Sequence, residues 1–149
     1  MRAVAQRVRE ARITVEGEEV GSMGVGLLAL VGVARGDSPA DARSLAEKLV
    51  HLRVFPDAED RMNESLLDQG GALGVVSQFT LLGDCRRGRR PGYADAEAPE
   101  EAARLIEDLV SHARALGAPV TTGRFRASMQ VSLVNDGPVT LLLDTKQQF

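Results

Sequence analysis

Leu27-Leu28-Ala29-Leu30-Val31-Gly32-Val33 is a short apolar run entered through Gly26, and a few residues later Ser38-Pro39 opens a segment whose apolar residues recur with a different period. A run of that length with no polar alternation predicts a central strand covered on both faces. In the next segment Ser38 offers an N-cap and Pro39 a first helical position. Asp41 suits the first turn, and Leu45, Leu49 and Leu52 share one face, so a helix is expected over 39–53. A buried strand feeding an amphipathic helix argues for a domain that mixes strands and helices in one core.

Upstream, Val4, Gln6 and Val8, then Ile13 and Val15, alternate as strand residues do, and Gly17 between Glu16 and Glu18 suggests a hairpin turn near 17–18. Downstream, a polar loop with Asp57, Asp60 and Asn63 leads into Ala72-Leu-Gly-Val-Val-Ser-Gln-Phe-Thr-Leu81, which reads as a strand with polar side chains at its end. Pro99, Glu100 and Glu101 start a second amphipathic helix through Leu105, Leu109 and Leu116, with Gly117 as its stop. Segments around 120–122, 129–135 and 138–144 are strand-like. The expectation is an α/β (α+β) fold: one compact domain over 1–149, with a mixed multi-stranded sheet or barrel-like β layer and two principal helices.

Composition narrows the function. A chain that is 44% hydrophobic and 26% charged is ordinary for a globular protein, and no apolar stretch approaches the roughly 20 residues that span a bilayer. The N-terminus lacks the apolar core of a signal peptide, so a cytoplasmic location and no membrane are expected. A formal charge of −3 argues against coating nucleic acid through a broad basic face, but not against gripping a single end of one. The local exceptions are Arg86, Arg87, Arg89 and Arg90, with Arg124 and Arg126 further on; charge pattern alone reads them as a solvated loop.

The common catalytic sets are missing. His51 and His112 both fall on expected helices, and Cys85 is the one cysteine, so neither a His/Cys metal site nor a Cys-His dyad is well supplied. Neither metal nor cofactor is expected. Gly21, Gly24 and Gly26 precede a strand rather than opening a helix, which excludes a dinucleotide fingerprint. Two segments remain, Ser77-Gln78-Phe79-Thr80-Leu81 and Asn135-Asp136-Gly137-Pro138-Val139-Thr140. The first has a plain account as a strand end, the second as a turn between two strands. Asp-Gly favours a tight hairpin, yet Pro138 removes a donor where the following strand should begin to pair. The residues alone leave the isomer of the Gly137-Pro138 bond open.

Those two segments, with Met1-Arg-Ala-Val-Ala-Gln-Arg-Val8, Gly26–Val33, Arg61-Met62-Asn63 and Met129–Ser132, make the whole chain resemble the D-aminoacyl-tRNA deacylase family. The resemblance implies an enzyme that hydrolyses the ester of D-aminoacyl-tRNA, and of glycine mischarged on tRNA-Ala. Its partners are a tRNA 3′ end carrying a D-amino acid or glycine, and a second copy of itself. It also implies a homodimer in which a Gly-cis-Pro element from each subunit enters the other's site to exclude L-amino acids. Carried onto this chain, Ser77, Gln78, Phe79 and Thr80 form the catalytic segment, and Gly137 and Pro138 the chiral gate. Arg7 holds that gate, while Phe125 and Met129 line the pocket for the terminal adenosine. Two positions depart from the family pattern: Arg126 stands where a glycine is usual, and Gly92-Tyr93 where Ser-Phe is usual. Rival readings are another ester or amide hydrolase using Thr80 or Cys85, and a noncatalytic RNA-end or replication-origin binding protein.

Overall fold

The structure, a computed structural model, describes residues 1–149. A two-residue turn at Glu16 and Gly17, both at positive φ (51° and 79°), folds β1 (Arg2–Val15) onto β2 (Glu18–Met23). Left-handed geometry at both central residues matches the strand twist that tight hairpins need. The two alternating segments expected before the turn are therefore one strand. Its first half pairs on one side with β3 (Gly26–Gly32), its second half with β2, and its other side with β8 (Gln130–Asp144) throughout.

After β3 the chain makes α1 (Pro39–His51), a small hairpin of β4 (Phe55–Pro56) and β5 (Met62–Glu64), and a single turn α2 (Leu66–Gln69) that sequence periodicity does not reveal. It then returns as β6 (Ala72–Ser77), parallel to β3. The long helix α3 (Pro99–Ala115) makes a second crossover and leads to β7 (Val120–Thr122), parallel to β6. Both long helices begin at the expected proline; α1 stops two residues short of the expected end and α3 one. Sheet order is β2-β1-β3-β6-β7, with β8 on β1. The ends of this sheet meet: the Thr121 hydroxyl donates to the Ser22 carbonyl at 3.1 Å, so the sheet nearly closes on itself. No helix is long and apolar enough to cross a membrane.

β3 is covered on both faces, as its composition requires. Leu27, Ala29 and Val31 pack toward Leu45 and Leu49 of α1 and Leu105 and Leu109 of α3, while Leu28 joins Val8, Ile13 and Val76 in a second cluster inside the curved sheet. Burying each of the leucine, isoleucine and valine side chains contributes about 1.5–3 kcal/mol.

The start of α1 is anchored by Asp41, whose carboxylate accepts from the Ser38 amide (2.9 Å), the Ser38 hydroxyl (3.0 Å) and Lys146 (3.1 Å). Burial alone would raise its pKa, but these bonds, with one from Thr145, hold the carboxyl well below the ordinary 3.8. A lowered folded-state value means stability that is complete above the unfolded value and lost as pH falls through the folded one. Asp41→Asn is therefore expected to lower the unfolding free energy by about 1 kcal/mol at neutral pH. In urea titrations the gap between the two proteins should narrow steadily below pH 4; a gap independent of pH would refute the assignment.

Candidate active site

The strand expected over 72–81 ends at Ser77, and the reason lies in its neighbours. β3 has run out at Gly32 and β7 at Thr122, so no ladder remains beyond the Val31–Ser77 pair. The Gln78 amide still reaches the Val31 carbonyl (2.7 Å), and the chain then turns through a 3₁₀ helix at Phe79–Leu82. Leu81 is the first residue to donate back within this turn, to the Gln78 carbonyl at 3.3 Å. Phe79 and Thr80 precede it, so their amides have no carbonyl within the turn to serve. Gln78 Nε2 donates to Thr80 Oγ1 at 2.9 Å, which leaves the threonine proton free.

The turn lies against β3 because position 32 is glycine. A Cβ there would stand 2.9 Å from the Gln78 carbonyl oxygen, 2.6 Å from Leu82 Cδ2 and 3.1 Å from Leu81 Cβ. Gly32→Ala is expected to push the turn off the strand and lower the unfolding free energy by about 1–3 kcal/mol. Unchanged denaturant unfolding would show that the packing yields more easily than these distances allow.

Ser77, Gln78, Phe79 and Thr80 form one wall of a cleft of about 470 Å³. Phe125 and Met129 face them from the loop before β8, and Val31, Ala102 and Ile106 close the apolar floor. Phe79 is 58% exposed at the rim, held edge-on to Tyr93 with ring centroids 5.0 Å apart. The aromatic ring at position 93 thus supports the turn despite its departure from the family pattern. Glu97 and Arg126 are the only charged residues of the lining. Arg126 adopts φ +65°, a left-handed conformation that explains why glycine suits the position. Neither histidine lines the cleft: His112 contacts Glu47 at 3.0 Å, and His51 stands 3.6 Å from the same carboxylate. Cys85 is exposed on a neighbouring loop. No group of three or more His, Cys, Asp or Glu side chains is gathered to hold a metal ion.

That neighbouring loop carries the dense arginines. It is closed by a pair of backbone bonds between Asp84 and Gly92 (2.7 and 2.9 Å). Arg86 forks onto Asp84 through Nε and Nη2 (2.8 and 2.7 Å), which holds the Asp84 carboxyl far below its ordinary pKa. Arg87, Arg89 and Arg90 are exposed and have no carboxylate partner.

Gly137 and Pro138 lie elsewhere, and not in the turn that their residue types suggested. β8 passes straight through them: Asn135 pairs with Val8 and Thr140 with Gln6, so the four residues between bulge outward opposite Arg7. A bulge is one of the few places in a sheet where proline loses no ladder bond. The Gly137-Pro138 bond is cis, and Gly137 has φ +148°. Arg7 clasps the bulge from below, Nε donating to the Asp136 carbonyl (2.8 Å) and Nη1 to the Val54 carbonyl (2.6 Å). Asn135, to which sequence reading gave no role, staples it from the side. Its Oδ1 accepts from the Val139 amide (2.7 Å), and its Nδ2 donates to Thr140 Oγ1 (3.0 Å). The available signal was an Asn just before Asp-Gly-Pro, where short amides bond to nearby backbone. Gly137 and Pro138 are exposed, and neither they nor Arg7 line the cleft of their own chain. Along the same outer face of β8, Val134 and Leu142 flank them at 46% and 63% exposure.

Known proteins place this architecture. The model of a family described as D-Tyr-tRNA(Tyr) deacylase matches residues 4–144. A protein of Syntrophobacter fumaroxidans named D-aminoacyl-tRNA deacylase is 55% identical over 149 residues, covering both chains completely. Its namesake in Roseiflexus sp. is 59% identical over 145 residues, covering 97% of this chain and 94% of its own. Among solved structures, one titled c-Myc DNA Unwinding Element Binding Protein superposes with a TM-score of 0.92 at 34% identity, covering 97% of this chain and 99% of that one. Another, titled as a probable eukaryotic D-amino acid tRNA deacylase, has a TM-score of 0.80 at 18% identity, with 95% and 97% covered, which speaks to fold alone.

Proposed function

Since the chain belongs to the D-aminoacyl-tRNA deacylase family, hydrolases of the ester between a D-amino acid and tRNA, we propose that it selects substrate handedness with a main-chain gate supplied by a second copy of itself. The observation that carries this reading is the division of the motif residues. The Ser77–Thr80 turn, Phe125 and Met129 surround one cleft, while Gly137-Pro138 stands exposed outside it between two apolar side chains of β8. A two-fold pairing through that face lets each chain complete the other's cleft. Phe125 and Met129 receive the terminal adenosine, and the reaction runs in the cytoplasm.

An aminoacyl ester is activated, so positioning and charge stabilisation suffice without a catalytic triad. Water adds to the ester carbonyl carbon, and the oxyanion that forms is met by the Phe79 and Thr80 amides. The carbon–oxygen bond to the ribose then breaks, and the leaving ribose oxygen takes up the proton that the water gives. Ser77 and Gln78 orient the ester, and Thr80, fixed by Gln78, supports the hydroxyl network rather than attacking. The neighbouring ribose hydroxyl of the tRNA takes part in the proton transfer.

Main-chain atoms at the gate read handedness without reading the side chain. They leave room for the α-hydrogen of a D-residue and clash with an L side chain, each 1.4 kcal/mol of clash giving about tenfold discrimination. Glycine has nothing to clash. Purified enzyme is therefore expected to hydrolyse D-Tyr-tRNA and Gly-tRNA, including glycine on tRNA-Ala, and to act on L-Tyr- and L-Ala-tRNA at least about 100-fold more slowly. Turnover of D-Tyr-tRNA with Gly-tRNA untouched would defeat the steric gate, and a preference for L-Ala-tRNA would reverse its handedness.

A further inference from the structure

A second cleft, of about 570 Å³, lies beside the first and shares Ser77, Ile106 and Phe125 with it. Its remaining wall differs in character. Arg114, from the last turn of α3, and Arg124, just after β7, both line it, with the hydroxyls of Ser111 and Thr122 beside them. Both arginines are exposed; Arg114 donates to the Val120 carbonyl (3.2 Å), and neither forms an ion pair with a carboxylate. Glu107 is the one acid of that wall. On a chain of net charge −3, two unneutralised guanidinium groups brought together from separate elements mark a local site for an anion. The other arginine group, Arg87, Arg89 and Arg90, stands on the loop next to Tyr93 and not on the wall shared with the first cleft.

We propose that the Arg114–Arg124 cleft holds the phosphodiester backbone of the nucleotides preceding the terminal one. This rests on the reading that the first cleft holds the aminoacylated terminal nucleoside. From there the strand must leave past a wall of the cleft, and Phe125 is the wall behind which positive charge waits. Guanidinium groups suit the task because their forked donors match phosphate oxygens two at a time. Attraction to the backbone is blind to base identity, so this cleft raises the affinity for tRNA as a class and leaves stereochemistry to the gate.

Two substrates separate the roles: D-Tyr-tRNA, and D-tyrosyl-adenosine, which carries the same ester and no phosphate. Arg114→Ala and Arg124→Ala are each expected to lower kcat/KM on D-Tyr-tRNA about tenfold, mainly through KM. The double logarithmic dependence on salt should become shallower by about 0.7 for each arginine removed. Turnover of D-tyrosyl-adenosine should stay within about twofold of wild type, which also shows that the variants are folded. Arg124→Lys should recover part of the loss, since it keeps the charge without the fork. Equal losses on both substrates, or none on D-Tyr-tRNA, overturn the proposal while leaving the deacylase reading intact. If wild-type enzyme cleaves neither substrate, the reading beneath the proposal fails and the proposal with it.

Discussion

Gly137→Ala is expected to reduce D-Tyr-tRNA hydrolysis by at least about 100-fold while the chain stays folded. At φ +148° the backbone occupies a region that L-residues essentially never adopt, at a strain of about 1–3 kcal/mol. A Cβ there would also stand 2.7 Å from Val139 Cγ2 and 2.8 Å from the Val139 nitrogen. Both conflicts are relieved in one way, by rotating the backbone of the bulge, which displaces Pro138 from where Arg7 and Asn135 hold it. Gly137 and Pro138 are exposed and Val139 is the one buried residue of the bulge, so the lesion stays local. A displacement near 1 Å at a group that positions substrate is worth about two orders of magnitude in rate. Steady-state deacylation beside a thermal melt decides the matter: full turnover in a folded variant would show that the gate does not depend on glycine at this position.

If the proposed two-fold pairing through β8 holds, Leu142→Asp is expected to leave the protein monomeric and to abolish more than about 99% of turnover, although no residue of the cleft is altered. Leu142 and Val134 are among the large apolar side chains left open to water, and both lie on the face of β8 that carries Gly137-Pro138. An aspartate in a self-complementary patch meets its own copy or its copy's neighbours, so the charge is introduced twice and desolvated twice. Light scattering reports the mass and deacylation the activity. A mixing experiment sharpens the test. Gly137→Ala supplies a defective gate, and Met129→Arg a blocked cleft, so each protein alone is inactive. Random exchange makes half of the dimers mixed, each with one wholly intact site, and recovers about a quarter of wild-type activity. Activity that stays at the level of the separate variants would mean that gate and cleft act within one chain.

Residues 78–82 and 135–140 fold otherwise than their residue types alone suggest. Ala72–Ser77 carries strand residues without interruption into Phe79-Thr80-Leu81, and β-propensity continues past the point where the strand stops. It stops because β3 and β7 have ended beside it, a fact about segments far away along the chain. At Gly137-Pro138 the local signal for a turn was sound as chemistry and wrong as topology. The residues on either side find the same partner strand, β1, so the chain bulges and continues rather than reversing. Taken alone, the motif residues read as a strand end and a turn; it was the family resemblance that singled them out and implied that cleft and gate belong to different subunits.

By itself the sequence determined the two long helices, the buried central strand and the β1–β2 hairpin. Periods of 2 and 3.6 residues, caps and turn residues are properties of short stretches of backbone and are written where they act. Only the tertiary structure decided where β6 ends, that β8 runs unbroken through Gly-Pro, and that Arg114 and Arg124 line one cleft behind Phe125. The first two depend on contacts between distant segments, as Arg7 and Asp136 meet across 129 residues of chain; the third depends on α3 and β7 being laid against β6. Such pairings are selected by the packing of the whole core, and no local pattern encodes them.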